Sequence, residues 1–264
     1  MPPRPLALVT GASAGIGREF CAQLAGRGFD LVLVARDAAR LGALAGELRA
    51  RFGVVAEPLA ADLAADADVD RVVARIAAAP RLALLVNNAG FGTGGALATA
   101  DAEGQARMVR VHVLAAMRLA QVAVRGMAAH GGGAIVNVAS VAGFLRSVGN
   151  VNYCATKAYL IAFSESLAAE VEPAGVRVQA LCPGFTHSEF HQRMGADKGE
   201  IPAWMWMDAP RVVRESLAAV LDRAGPVVVI PGKRYRVIVG LLRVLPGGLL
   251  RRLLRRGYRH LQRR

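Results

Sequence analysis

The chain has 264 residues, 54% of them hydrophobic, with a mean hydropathy of +0.34, which is enough apolar sequence for one large buried core and excludes global disorder or two full domains. The formal net charge of +13 suggests nucleic acid until it is mapped: residues 233–264 hold eleven Lys or Arg and no acid, leaving 22 basic against 20 acidic residues elsewhere. Cys21, Cys154 and Cys182 are too scattered for a disulfide framework or a metal cluster, so a reducing compartment and no metal are expected.

The first apolar run, Leu6–Val9, leads into Thr10-Gly11-Ala12-Ser13-Ala14-Gly15-Ile16-Gly17 and then a helical stretch. Its early position leaves no room for a signal peptide, and no run of about 18 apolar residues reads as a spanning helix, so a cytoplasmic location is expected. Glycines at these positions allow a tight turn and a close backbone approach to a pyrophosphate, which the following helix N-terminus would attract. The spacing is G-x-x-x-G-x-G, and its place between first strand and first helix is what makes it informative. A second strand, Leu31–Val34, ends in Ala35-Arg36-Asp37. An acid at that strand end would accept from a ribose 2′-hydroxyl, whereas an arginine pairs with a 2′-phosphate; Arg36 comes first, so NADP(H) is favoured over NAD(H). Arg18 offers a second charge, and Asp37 is also placed to cap the helix predicted over Ala38–Phe52.

Further strands are predicted at Val54–Pro58, Leu82–Val86, Ala134–Val138, Val176–Leu181 and Val227–Ile230, each separated by helix-length sequence. Continuous apolar strands alternating with helices imply an α/β fold, a Rossmann-like doubly wound parallel sheet of about seven strands. One domain over 1–232 is expected, followed by a basic helical extension over 233–264. The fifth strand ends in Ala139-Ser140, and a helix predicted over Tyr153–Glu172 opens with Tyr153-Cys154-Ala155-Thr156-Lys157. Residues four apart share a helix face, so Tyr153 and Lys157 can address one ligand. An ammonium beside a phenol favours the phenolate and brings its pKa of about 10 toward neutrality, while Ser140 can hydrogen-bond a substrate oxygen. With four Tyr and three Lys in the chain, a chance Y-x-x-x-K is expected only about 0.05 times.

The stretch from His187 to Pro210 is rich in Met and holds both tryptophans, Trp204 and Trp206. Such side chains suit a large lipophilic ketone, aldehyde or secondary alcohol, or simply pack the loop on the core. Beyond it, Leu249, Leu250, Leu253, Leu254, Tyr258 and Leu261 form an apolar stripe opposite five arginines. That basic amphipathic pattern fits a helix packed on the domain or a partner subunit, or peripheral contact with an anionic inner membrane surface. It lacks interleaved stacking aromatics, so no nucleic-acid partner is expected.

With these motifs the chain resembles the short-chain dehydrogenase/reductase family over about residues 5–232: the Thr10–Gly17 turn, Asn87-Asn88-Ala89-Gly90, Ser140, Tyr153-x-x-x-Lys157 and Pro183-Gly184. The resemblance implies a nicotinamide-dependent oxidoreductase acting on a small-molecule carbonyl or alcohol. Tyr153 would be the general acid or base, Lys157 would lower its pKa and bind the nicotinamide ribose, and Ser140 would orient the carbonyl. Gly11, Ser13, Ala14, Gly15, Ile16 and Gly17 would hold the pyrophosphate. Asp62 would contact the adenine, unless it caps the next helix. Asn88, Ala89 and Gly90 would line the adenosine side, and Pro183, Gly184 and Thr186, with Ser188 as an alternative, would cover the nicotinamide. The resemblance also implies a homo-oligomer. His112 stands where many members carry an asparagine that holds a relay water. A histidine also donates and accepts, so His112 is a fourth catalytic candidate, or else a packed or surface histidine.

Overall fold

The computed structural model describes residues 3–93, 95–187, 201–221 and 225–244. Its strands are β1 (Leu6–Thr10), β2 (Asp30–Ala35), β3 (Ala56–Ala60), β4 (Leu82–Asn87), β5 (Gly133–Val138), β6 (Val176–Leu181) and β7 (Val228–Val229). They form one parallel sheet in the order β3-β2-β1-β4-β5-β6-β7. The α-helices are α1 (Gly15–Ala25), α2 (Ala38–Phe52), α3 (Asp66–Ala77), α4 (Ala102–Val109), α5 (Ala116–Ala129), α6 (Val151–Val171), α7 (Ala209–Leu221) and α8 (Lys233–Val244).

Alternate residues of each strand point to opposite faces, and here both faces are covered. Ala7 and Val9 of β1 join a core with Phe20 and Leu24 of α1, Leu41 and Leu48 of α2, and Val212 and Leu217 of α7. Leu6 and Leu8 join the opposite core with Val72 and Ile76 of α3 and Leu119 and Ala123 of α5. Full burial of each such Leu or Phe contributes about 1.5–3 kcal/mol, which is why these strands read as unbroken apolar runs. From β1 the chain builds outward through β2 and β3, then returns to β4 on the other side of β1. That reversal opens a crevice at the carboxyl ends of β1 and β4.

β6 has the expected bounds and β1, β2, β4 and β5 are longer than expected by one residue at one or both ends, whereas β3 is shifted and β7 shortened. β3 begins two residues later than predicted, because Gly53 ends α2 in a left-handed conformation and Val54-Val55 carry the chain back to the sheet. Pro58 is accommodated because β3 is an edge strand, paired only with β2. β7 keeps two residues of the predicted four. Between α4 and α5 the helical path widens into a π-helical turn, Arg110–Ala115, that turns His112 into the core.

The expected basic extension begins with α8, whose Tyr235 and Val239 are buried against the body. The predicted amphipathic stripe from Leu249 onward lies outside the described residues, as does Ser188. Among the described residues no helix is long and apolar enough to cross a membrane, and no cluster of His, Cys, Asp or Glu is arranged to hold a metal.

Candidate active site

A cleft of about 1230 Å³ runs along the carboxyl ends of the strands. One end is the glycine turn. Gly11 has φ 65°, and a β-carbon on Gly17 would lie 2.2 Å from the Gly11 carbonyl oxygen, so neither position accepts a side chain without moving backbone. Asn88 at the end of β4 ties this turn down: its side-chain amide donates to the carbonyls of Thr10 (2.9 Å) and Gly11 (3.2 Å). In return the Thr10 hydroxyl accepts from the Asn88 and Ala89 amides, both at 2.9 Å. The two sequence motifs are therefore one hydrogen-bonded unit across the β1–β4 crevice. Ser13, Ala14, Gly15 and Ile16 line the cleft where α1 begins, and no side chain caps that helix at Ala14. Its first N–H groups thus face a space that suits an anionic group.

Arg36, Arg40 and Arg107 gather around the next part of the cleft. Asp37 caps α2 through its Oδ1, which accepts from the Arg40 amide at 3.0 Å, so capping and an arginine at the strand end coexist. Arg18 does not join them; it pairs with Glu47 on the surface. Asp62 lines the cleft but does not cap α3, whose N-cap is Ala65. Its Oδ1 accepts from the Ala64 amide (3.0 Å) and its Oδ2 from Arg107 (2.8 Å). Burial raises this carboxyl, but the Ala64 amide, Arg107 and the charge of Arg36 outweigh it and hold the pKa below the usual carboxylate range. Arg40 and Arg107 escaped the sequence reading, since nothing marks them among 30 arginines.

The other end of the cleft holds Ser140, Tyr153 and Lys157. Ser140 follows β5, caps the 3₁₀ turn Val141–Phe144 and hydrogen-bonds the Tyr153 hydroxyl. Its Oγ also accepts from the Ala142 amide at 3.1 Å, which fixes the hydroxyl direction. Lys157, buried on the same face of α6, donates to the Val138 carbonyl at 2.8 Å and lies 5.8 Å from the centroid of the Tyr153 ring. The expected direction of the phenol's shift is corrected here. Burial pushes Tyr153 up to about 12, against the pull of the Ser140 hydrogen bond. Burial likewise lowers Lys157 to about 8. The phenol is held protonated, the form a proton donor needs.

His112 is also brought to this end. Its Nε2 accepts from the Phe91 amide at 3.1 Å, so the ring proton sits on Nδ1. Nδ1 donates to the Thr156 hydroxyl at 3.0 Å, which donates to the Tyr153 carbonyl at 2.9 Å. Burial, together with the Lys157 charge, holds His112 well below 6.5 and neutral. Both ring nitrogens are engaged, so its contacts fit a clamp joining the β4 loop to the first turn of α6. The ring also meets Tyr153 edge-on, with centroids 5.9 Å apart.

Pro183 and Gly184 complete the wall after β6. The Pro183 carbonyl accepts from the Val141 amide at 3.0 Å, and the Thr186 hydroxyl donates to the Gly184 carbonyl at 3.0 Å. Ala89, Gly90 and Thr186 also line the cleft, whereas Gly17 is packed beneath the turn. Leu145, Ile201, Met205, Ile238, Val239 and Leu242 line the same cleft and give it an apolar chamber. The α8 members of that wall carried no sequence motif.

The short chain dehydrogenase family model matches residues 5–199. The 3-oxoacyl-(acyl-carrier-protein) reductase FabG of Aquifex aeolicus (strain VF5) is 32% identical over 185 residues, covering 70% of this chain and 75% of that protein. The chain spans about half the length of several other curated relatives that it matches. A short-chain dehydrogenase from Sphingobium yanoikuyae, solved in complex with NADPH, is 38% identical with a TM-score of 0.83, covering 92% of this chain and 96% of that one. The bulky-bulky ketone specific alcohol dehydrogenase from Comamonas testosteroni is 34% identical with a TM-score of 0.78, covering 92% and 95%. The chain belongs to the short-chain dehydrogenase/reductase family. It is an oxidoreductase of the class whose members interconvert carbonyl and CH–OH groups with a nicotinamide cofactor.

Proposed function

We propose that this chain is an NADP(H)-preferring carbonyl reductase or alcohol dehydrogenase for a lipophilic substrate, with Tyr153 as the proton-transferring group. The observation that carries it is the buried, Ser140-bonded Tyr153 in a cleft that also holds an uncapped helix N-terminus and three arginines. NADPH suits that cleft and would supply the hydride when bound. Gly11, Ser13 and the first amides of α1 would hold the pyrophosphate, and Arg36 with Arg40 would pair with the 2′-phosphate. Asp62, Asn88, Ala89 and Gly90 bound the adenosine side, with Asn88 acting through the turn it ties down. Pro183, Gly184 and Thr186 bound the nicotinamide side.

Ser140 orients the carbonyl oxygen, and the Tyr153 hydroxyl gives it a proton. Lys157 keeps a positive charge beside the phenol and so stabilises the phenolate that forms. Two Arg36→Ala and Tyr153→Phe variants test this. Tyr153→Phe is expected to lower NADPH-dependent reduction by about 10²–10⁴-fold with NADPH binding within about twofold of wild type. Turnover at the wild-type rate refutes the role. Arg36→Ala is expected to weaken NADPH by about 10-fold or more and NADH little, as loss of a charge-assisted hydrogen bond requires. Equal losses for both nucleotides refute the preference.

One observation favours an added reading of its surroundings. The outer face of α8 exposes Val237, Leu241 and Val244 next to Lys233, Arg234 and Arg236. That combination supports peripheral contact with an anionic lipid surface.

A further inference from the structure

We infer that α8 is the substrate-side wall of the cleft, and that the Tyr235 hydroxyl pins this wall to both stems of the loop between β6 and α7, so that the chamber admits a ketone with a bulky apolar substituent. The inference rests on the oxidoreductase reading above and adds to it the element that selects the substrate.

Tyr235 lies in the first turn of α8 and is only 5% exposed. Its hydroxyl accepts from the Phe185 amide at 3.0 Å and donates to the Met205 carbonyl at 2.7 Å. Phe185 is on the stem that leaves β6, and Met205 is on the stem that returns toward α7. One phenol therefore bridges both stems, with its donor and its acceptor capacity used. The stems are also joined to each other, by His187 N to Met207 O (2.9 Å) and Met207 N to Phe185 O (2.8 Å). Arg234 adds a bond from α8 to the Trp204 carbonyl at 3.0 Å.

The Tyr235 ring lies against Gly184, where a β-carbon would come within 2.0–2.4 Å of ring atoms. Glycine at 184 is thus required by the ring that packs on it. At the far end of α8, the Arg243 guanidinium sits 4.9 Å from the centroid of Phe144, in the 3₁₀ turn that follows Ser140. The helix is anchored at both ends to segments that carry site residues. Between the anchors, Ile238, Val239 and Leu242 line the cleft, as do Leu145, Ile201 and Met205. These six side chains are uncharged and have no hydroxyl, so the chamber recognises hydrocarbon by burial.

The test uses the full chain, NADPH, and two probes, benzophenone and cyclohexanone. Trp204 and Trp206, the only tryptophans, both stand on the returning stem and report on it by fluorescence. Tyr235→Phe keeps the ring on Gly184 and removes both hydrogen bonds; Val239→Phe narrows the chamber and leaves the pin. Val239→Phe is expected to raise KM for benzophenone about tenfold or more, at least about fivefold more than for cyclohexanone, with NADPH affinity within about twofold. Tyr235→Phe is expected to red-shift tryptophan emission and raise KM for benzophenone about fivefold, with NADPH affinity unchanged. Equal effects of Val239→Phe on both ketones, or wild-type emission and KM in Tyr235→Phe, overturn the inference. A wild-type protein that binds no NADPH, or reduces neither ketone, instead fails the oxidoreductase reading. The chamber is then judged by benzophenone quenching of tryptophan: loss of quenching in Val239→Phe upholds it, and equal quenching or none in the wild type overturns it.

Discussion

Burial moves Tyr153 and Lys157 in opposite directions, the phenol to about 12 and the ammonium to about 8, because in each case it disfavours the charged form. Between these values the phenol keeps its proton while the lysine has lost its charge. Carbonyl reduction is therefore expected to decline as pH rises through about 8, a limb set by Lys157 and read from kcat/KM against pH. A rate flat to pH 10 would contradict it. His112 has the opposite kind of consequence, for stability. Its folded pKa lies well below the unfolded value of about 6.5, so its neutral form is matched in both states above that pH. Below pH 6.5 the unfolded chain takes up a proton that the fold refuses, and stability falls. Urea midpoints at pH 7.5 and 5.5 should show a loss on the order of 1 kcal/mol larger in wild type than in His112→Asn. The sequence marked position 112 because a histidine stands where the family has an asparagine. It was silent on the Phe91 amide and the Thr156 hydroxyl, which lie 21 and 44 residues away and decide the tautomer.

Among the elements, those governed by local chemistry were legible. Helix α2 has the predicted bounds, with Asp37 at its N-cap and Gly53 at its end. The glycine turn stood out by its place between the first strand and the first helix, Ser140 by following a strand, and Tyr153 and Lys157 by their spacing; the structure brings all of them to one cleft. The tie between Asn88 and Thr10 was legible as two motifs but not as one unit, since the pairing is made by sheet order. Helix α8 was harder to place. Its apolar residues look like those of a tail that adds surface, yet Tyr235, Ile238, Val239 and Leu242 turn inward to the cleft. A helical repeat alone does not say which of two apolar faces meets the body, and here Val237, Leu241 and Val244 take the other.

At the scale of the whole molecule, the charge is distributed as the sequence showed: residues 233–264 carry eleven of the 33 basic side chains and none of the 20 acids. If the outer face of α8 and the residues after it meet anionic lipid, the full chain should co-sediment with phosphatidylglycerol vesicles more than a chain ending at Val244, and salt should release it. Equal sedimentation of both chains would remove residues 245–264 from that role, and no sedimentation of either would remove α8 as well. The cleft itself is assembled from two stretches of chain. The glycine turn and the three arginines come from residues 11–107, whereas the apolar chamber lies within residues 145–242. The division leaves the apolar residues of α8 and of the returning loop stem free to drift over evolutionary time: exchanges there can retune which molecules are accepted while the glycine turn and its arginines are inherited intact.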